Sequence, residues 1–230
     1  MQNDCDLEQQ KMNSLAEFAA GIGHEINNPL AIISGHAQLL LGQIENPQQR
    51  RSLAIIASQV KRAYEMIADI RLFARPPKPQ MERFDLVAKI DELRKNQLPF
   101  IAEHSIDFRF EHEDSKIYII SDPTQISVAL LALIRNAAES IGTADGTIKV
   151  SARLIDLDEY KVEITVCDNG PGILPEILPL IFSPYFSGRQ AGRGLGFGLP
   201  KTWQILKQCN GTIEVESEPS VETKFTIRLP

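Results

Sequence analysis

Two glycine-rich segments, one asparagine inside an apolar run and one histidine hold the residue types that could handle a phosphorylated ligand. Asp168-Asn169-Gly170-Pro171-Gly172-Ile173 follows a strand-like stretch, and Gly192-Arg193-Gly194-Leu195-Gly196-Phe197-Gly198 precedes a helix-like one. Glycine lets a backbone approach a ligand closely, and the amides that open a helix point towards anions. Taken singly, the first segment also reads as a tight turn and the second as a surface loop. Neither fits the P-loop pattern, and GxGxG without a preceding strand is not a dinucleotide fingerprint. Asn136 lies late in the apolar run Ile126 to Ile141. Its carboxamide oxygen could complete an Mg²⁺ shell beside phosphates and water. Alone, it reads better as a polar helix-end residue facing solvent.

His24 is two positions from Ile22 and two from Ile26, which is about 200° round a helix from that apolar stripe. The spacing turns its imidazole away from the helical core and towards a second domain. Glu25 could hold one ring nitrogen protonated and leave the other as nucleophile. Asn28 falls one helical turn later on the same face, and Pro29 is expected to bend the helix. A lone histidine in this place would read first as a solvated residue near a kink. His36, His104 and His112 have no comparable setting.

The elements that must position these residues fall into two groups. From Leu53, the positions Ile56, Val60, Ala63, Ile67, Ile70 and Ala74 step by three and four, the seam of a coiled coil or helical bundle. Upstream, Leu15, Phe18, Ile22 and Ile26 make a shorter stripe, followed by Ile32, Leu39 and Leu40. Glu45-Asn46-Pro47 breaks the two helices apart, because proline disfavours helix in itself and in its predecessor. A single hairpin has one face to bury and makes a poor core, so pairing two into a four-helix bundle predicts a homodimer. Arg75-Pro76-Pro77-Lys78-Pro79 stops the second helix and favours an extended linker.

Beyond the linker, helix and strand alternate. Asp85 to Glu103 reads as helix and Ile106 to Phe110 as strand. Asp122 followed by Pro123 and Gln125 reads as a capped helix start, running to about Ile141. Thr147 to Ile155 and Lys161 to Cys167 read as a strand pair, Gly198 to Cys209 as helix, and Thr212 to Ser217 and Lys224 to Leu229 as strands. The expected fold class is α+β: a helical hairpin over 1–75, a linker over 76–80, and a two-layer α/β sandwich over 81–230.

Composition narrows the partners. The 230 residues are 43% hydrophobic and 23% charged, with a net charge of −6, which argues against a nucleic-acid partner. No run reaches the ~18 apolar residues of a membrane span. Three widely spaced cysteines, Cys5, Cys167 and Cys209, fit a reducing compartment and form no CxxC pair. A cytoplasmic chain, or the cytoplasmic part of a longer one, is expected.

Together the chemical residues stop being independent. Gly23-His24-Glu25-Ile26-Asn27-Asn28-Pro29-Leu30 resembles the H box of sensor histidine kinases of two-component systems. Leu131 to Ser140 resembles their N box, Asp168 to Ile173 the first glycine box, Phe182 to Phe186 the F box, and Gly192 to Leu199 the second glycine box. Thr223 to Pro230 is similar to their closing strand. Five boxes in the family order cover nearly the whole chain.

This resemblance implies a dimerisation and phosphoacceptor hairpin followed by an ATP-binding domain of the type shared with gyrase and MutL. It implies His24 as phosphoacceptor, Glu25 as adjacent acid or base, and Asn28 as the residue that places water or the acceptor aspartate in dephosphorylation. Asn136 would bind Mg²⁺ and Asp168 the adenine amino group of ATP. Gly170, Gly172, Ile173, Gly194, Leu195, Gly196, Gly198 and Thr223 would line the nucleotide pocket, and Ser183 to Arg193 would form a short lid. A response-regulator receiver domain would be the partner, docking on the hairpin near Ile33, Gln38 and Leu40.

Three positions depart from the family pattern. Ala132 stands where the N box often has another asparagine, Leu195 where the second glycine box usually has threonine, and Ser187-Gly188-Arg189 where Thr-Thr-Lys commonly follows the F box. Arg189 keeps a positive charge near the phosphates as a broader fork than lysine. Two rival readings are a hydrolysing clamp of the gyrase or MutL type and a non-catalytic dimeric scaffold. The clamp needs a glutamate base where Ala132 stands.

Overall fold

The computed structural model describes residues 21, 25–103, 106–142, 145–157, 159–184, 186 and 196–230, the side chains of 97–103 excepted. The helical stripe from Leu15 to Ile22 and the position of His24 lie outside these residues. The chain divides into two compact units, Met1–Pro77 and Lys78–Pro230.

The first unit contains helix α1, described over 25–43, and helix α2, Pro47–Ala74. Asn46 caps α2: its side-chain oxygen accepts the amides of Gln48 at 3.0 Å and Gln49 at 3.2 Å, with Pro47 in the first turn. Capping satisfies amides that have no intrahelical partner. Arg50 closes the other side of the turn by donating to the carbonyls of Leu41 at 2.6 Å and Ile44 at 3.0 Å. At the far end of the hairpin, the Tyr64 hydroxyl donates to the Asn27 main-chain oxygen at 3.1 Å. Contacts of 41 with 50 and of 27 with 64 can only arise from antiparallel helices.

Ala37, Val60 and Phe73 are buried, yet Ile32, Leu39, Ile55 and Ile56 are 62%, 63%, 54% and 43% exposed. Ile56 therefore departs from the expected seam within one chain: the hairpin closes over Val60 and turns Ile56 outwards. The helix runs on through Pro29. Helix α2 ends at Ala74, and Arg75, with φ −145°, leaves helical geometry just before the prolines.

The second unit is a sandwich. Strands β2 (Ile106–His112), β4 (Gly146–Leu157), β5 (Tyr160–Asp168), β6 (Thr212–Glu218) and β7 (Glu222–Leu229) form a sheet in the order β2-β4-β5-β7-β6. Only β2 and β4 are parallel. Helices α3 (Leu86–Glu103), α4 (Pro123–Ile141) and α5 (Gly198–Gln208) complete it. Alternate residues Ile148, Val150 and Ala152 of β4, Val162, Ile164 and Val166 of β5, and Phe225, Ile227 and Leu229 of β7 are buried. They join the apolar face of α4, where Ile126, Ala129, Leu130, Leu133, Ile134, Ala137 and Ala138 recur at helical spacing.

On the opposite sheet face, Glu163 bridges Arg153 and Arg228. Burial pushes its carboxyl up, but the hydrogen bonds from Arg153 and then Arg228 outweigh this and hold it below the ordinary range.

Two short strands were not evident from sequence: β1 (Glu82–Asp85) pairs antiparallel with β3 (Tyr118–Ser121). Four residues are too few to establish an alternation, and Asp85 both ends β1 and accepts the Val87 amide at 3.1 Å to open α3. Asp122 uses both oxygens. One accepts the amides of Thr124 and Gln125 at 2.9 Å, and the other accepts the Gln80 amide at 2.8 Å. The cap of α4 thus also fastens the end of the proline-rich linker.

Candidate functional site: a nucleotide cradle at the end of the sheet

Asp168 is the last residue of β5 and is 2% exposed. Register places it opposite Ile148 of β4 on one side and Thr223 of β7 on the other. Its Oδ1 accepts the Gly170 amide at 3.0 Å, which folds the glycine segment back over the strand end. A Cβ at Gly170 would lie 2.6 Å from Asp168 Oδ1 and 3.0 Å from Ser140 Oγ. The segment therefore packs on the C-terminal turn of α4. Ser140 is four residues after Asn136, so Asn136 falls on the face of α4 that meets the glycine segment one turn on. Asn136 is half-buried, not turned fully to solvent, and follows the buried pair Leu133 and Ile134.

The other wall is the β6–β7 hairpin. Ser217 Oγ accepts the Ile173 amide at 2.8 Å, donates to the Glu222 carbonyl at 2.8 Å and lies 3.1 Å from Thr223 Oγ1. The Ser220 amide donates to the Pro171 carbonyl at 2.7 Å. Gly172 has φ +70°, and a Cβ there would strike the Glu218 carbonyl oxygen. Gly172→Ala is expected to lower stability by about 2–3 kcal/mol, since left-handed backbone and a clash with main chain act together. Urea denaturation checks this. An unchanged midpoint would mean that the segment does not need this turn.

Phe186 and Gly196 meet backbone to backbone. Gly196 has φ +72°, and any Cβ would collide with the Phe186 carbonyl. Helix α5 opens at Gly198 with no side-chain cap from Phe197, and no atom of the described residues lies within 4 Å of where a Gly198 Cβ would stand. A helix start of this kind offers free amides to an anion. Burial and then the Glu222 carboxylate push the thiol of Cys167, next to Asp168, up to about 11, which disfavours the thiolate.

Of the residues singled out from sequence, Asp168, Gly170, Gly172, Ile173 and Thr223 come together at one sheet end, and Asn136 lies on α4 one turn before Ser140. Gly196 and Gly198 flank the start of α5. Glu25 and Asn28 are exposed on α1 in the other unit. His24, Arg189, Gly194 and Leu195 lie outside the described residues. Ser140 and Ser217 were missed. Ser217 was legible only through its register partner Thr223, and Ser140 through its spacing from Asn136.

Residues 14–78 match the His Kinase A (phospho-acceptor) domain, and residues 121–230 match the histidine kinase-, DNA gyrase B-, and HSP90-like ATPase family. Sporulation kinase A of Bacillus subtilis (strain 168) is 31% identical over 228 residues, 97% of this chain and 36% of that protein. Sensory histidine kinase/phosphatase NtrB of Vibrio alginolyticus is 33% identical over 236 residues, 98% of this chain and 65% of that protein. The chain thus spans from about a third to two thirds of the length of such relatives. Full-length ShkA in complex with AMPPNP shares the fold, with TM-score 0.78 and 22% identity over 93% of this chain and 45% of that one. Histidine kinase ThkA in complex with response regulator protein TrrA matches all of this chain and 66% of that one, with TM-score 0.70 and 25% identity. With a phospho-acceptor domain ahead of an ATPase domain of the kinase type, this chain belongs to the sensor histidine kinases of two-component systems.

Proposed function

We propose that this chain binds ATP in the second unit and transfers its γ-phosphoryl group to His24, from which it passes to an aspartate of a response regulator. The observation that carries the reading is the buried Asp168 carboxylate, bonded to the Gly170 amide in a glycine turn that packs against Ser140 of α4, one helical turn after Asn136. A carboxylate suits the adenine amino group because it offers only acceptors. The open start of α5 suits the phosphates.

In the transfer, one imidazole nitrogen of His24 attacks the γ-phosphorus, the bond from phosphorus to the β–γ bridging oxygen breaks, and ADP leaves. Glu25 holds the proton on the other ring nitrogen, and Asn28 orients water or the acceptor aspartate in the separate dephosphorylation of the regulator, in which water attacks the aspartyl phosphorus and the carboxylate and inorganic phosphate leave. Arg189, Gly194 and Leu195 belong to the phosphate end. Mg²⁺, held by Asn136, would neutralise phosphate charge. A single protein oxygen fits that ion, which keeps waters and takes phosphate oxygens.

We assign 1–75 to dimerisation and phosphotransfer, 76–80 to the linker and 81–230 to ATP binding. Homodimerisation is supported by the exposed Ile32, Leu39, Ile55 and Ile56, an apolar face that a second hairpin would cover. Ile33, Gln38 and Leu40 are exposed on α1 and are where a receiver domain would dock. Among the described residues, no helix is long and apolar enough to cross a membrane; a cytoplasmic location is part of this proposal. Ala132 carries only a methyl group and cannot activate water, which disfavours a hydrolysing clamp.

Incubation with γ-labelled ATP and Mg²⁺ is expected to give an acid-labile label on the wild-type chain. Asn136→Ala should reduce its rate at least about 50-fold, through lost phosphate neutralisation. No label on the wild type would favour a non-catalytic scaffold, and a rate within twofold in the variant would remove Asn136 from the site.

A further inference from the structure

Glu25 and Asn28, which follow the proposed acceptor in sequence, sit on α1, and their turn is weakened by its own sequence. Pro29 has no N–H, so the Glu25 carbonyl loses its usual partner four residues on, and the proline ring crowds that carbonyl. One residue pair reaches this turn from the opposite helix: the Tyr64 hydroxyl of α2 donates to the Asn27 main-chain oxygen at 3.1 Å, bridging 37 residues of sequence. The Asn27 side-chain oxygen is enclosed and has no hydrogen-bond partner among the described residues. Tyr64 is itself half-buried, so its ring packs while its hydroxyl meets a polar atom.

We infer that Tyr64 is a positioning residue for phosphoryl transfer: its hydroxyl, through the Asn27 carbonyl, fixes the rotation of the turn bearing residues 25–28 against α2. A helical carbonyl has a second lone pair and can accept this hydroxyl in addition to its helical amide. Such a bond tilts the carbonyl outwards and sets a local bend where the ladder is already interrupted. In-line transfer is sensitive to small displacements of the nucleophile, so loss of the bond falls on the chemical step and leaves nucleotide binding alone. The inference rests on His24 as the acceptor.

The test compares wild type with Tyr64→Phe in the whole chain, since phenylalanine keeps the ring and removes only the hydroxyl. Autophosphorylation with γ-labelled ATP should show kcat about fivefold lower with KM for ATP unchanged. Amide exchange over 25–31 should be faster, with an unaltered melting temperature. Tyr64→Leu, which also removes the ring, should lower the melting temperature as well. Wild-type kcat and exchange in Tyr64→Phe would overturn the inference. So would a kcat loss that appears only alongside a melting loss equal to that of Tyr64→Leu, because packing would then account for it. The exchange measurement needs no phosphoryl transfer: if the wild type carries no label on His24, the acceptor reading fails, while faster exchange in Tyr64→Phe still upholds the clamp on this turn.

Discussion

Asp168→Asn is expected to weaken ATP binding about 100-fold while the ATP-binding unit stays folded. The Asp168 side chain is almost fully enclosed between Ile148 and Thr223, and its Oδ1 already takes the Gly170 amide at 3.0 Å. An asparagine oxygen can keep that bond, so the turn survives. The other position changes from an acceptor to an NH₂ donor, which would face the adenine amino group donor to donor. Leaving such a pair unsatisfied in a buried site costs about 2–3 kcal/mol. Competition with a fluorescent nucleotide measures the affinity, and thermal melting without nucleotide measures the fold. Affinity within threefold of wild type would remove Asp168 from the adenine pocket.

The local chemistry of the fold was legible because single residues announced it. Asp122 with Pro123 and Gln125 marks the start of α4, and the side-chain bonds to Thr124 and Gln125 are those such a cap makes. Asn46 and Pro47 mark the hairpin turn for the same reason. Sheet order was not legible. The parallel pairing of β2 with β4 brings together segments separated by the whole of α4, and nothing in either strand's own alternation names its neighbour. β1 and β3 were hidden because a two-stranded ribbon of four-residue strands has no periodicity to read.

The candidate site divides in the same way. Gly172 and Gly196 were recognisable as glycines within boxes, and the structure supplies the reason each must be glycine: a positive φ and a main-chain carbonyl where Cβ would stand. Ser217 and Ser140 act through register and packing, not through any motif, so they emerge only when the strands and α4 are assembled. The same holds for Gln80, whose amide ties the linker to Asp122. The seam on α2 was legible as that of a helical bundle, but the alternation alone does not say which of its positions close within one hairpin. Ile56 faces outwards in the single chain, where the proposed second hairpin would cover it.

His24→Gln carries the other large effect. Glutamine retains helix propensity and a polar side chain but offers no nucleophilic ring nitrogen, so phosphoryl transfer should fall at least about 1000-fold, to background. ATP affinity should stay within twofold, because residue 24 and the nucleotide cradle lie in separate compact units. The decisive measurement is therefore the labelling rate of both proteins from γ-labelled ATP with Mg²⁺, paired with nucleotide affinity. An acid-labile label on the wild type, none on His24→Gln and equal affinities are the predicted result; label persisting on the variant would contradict the account.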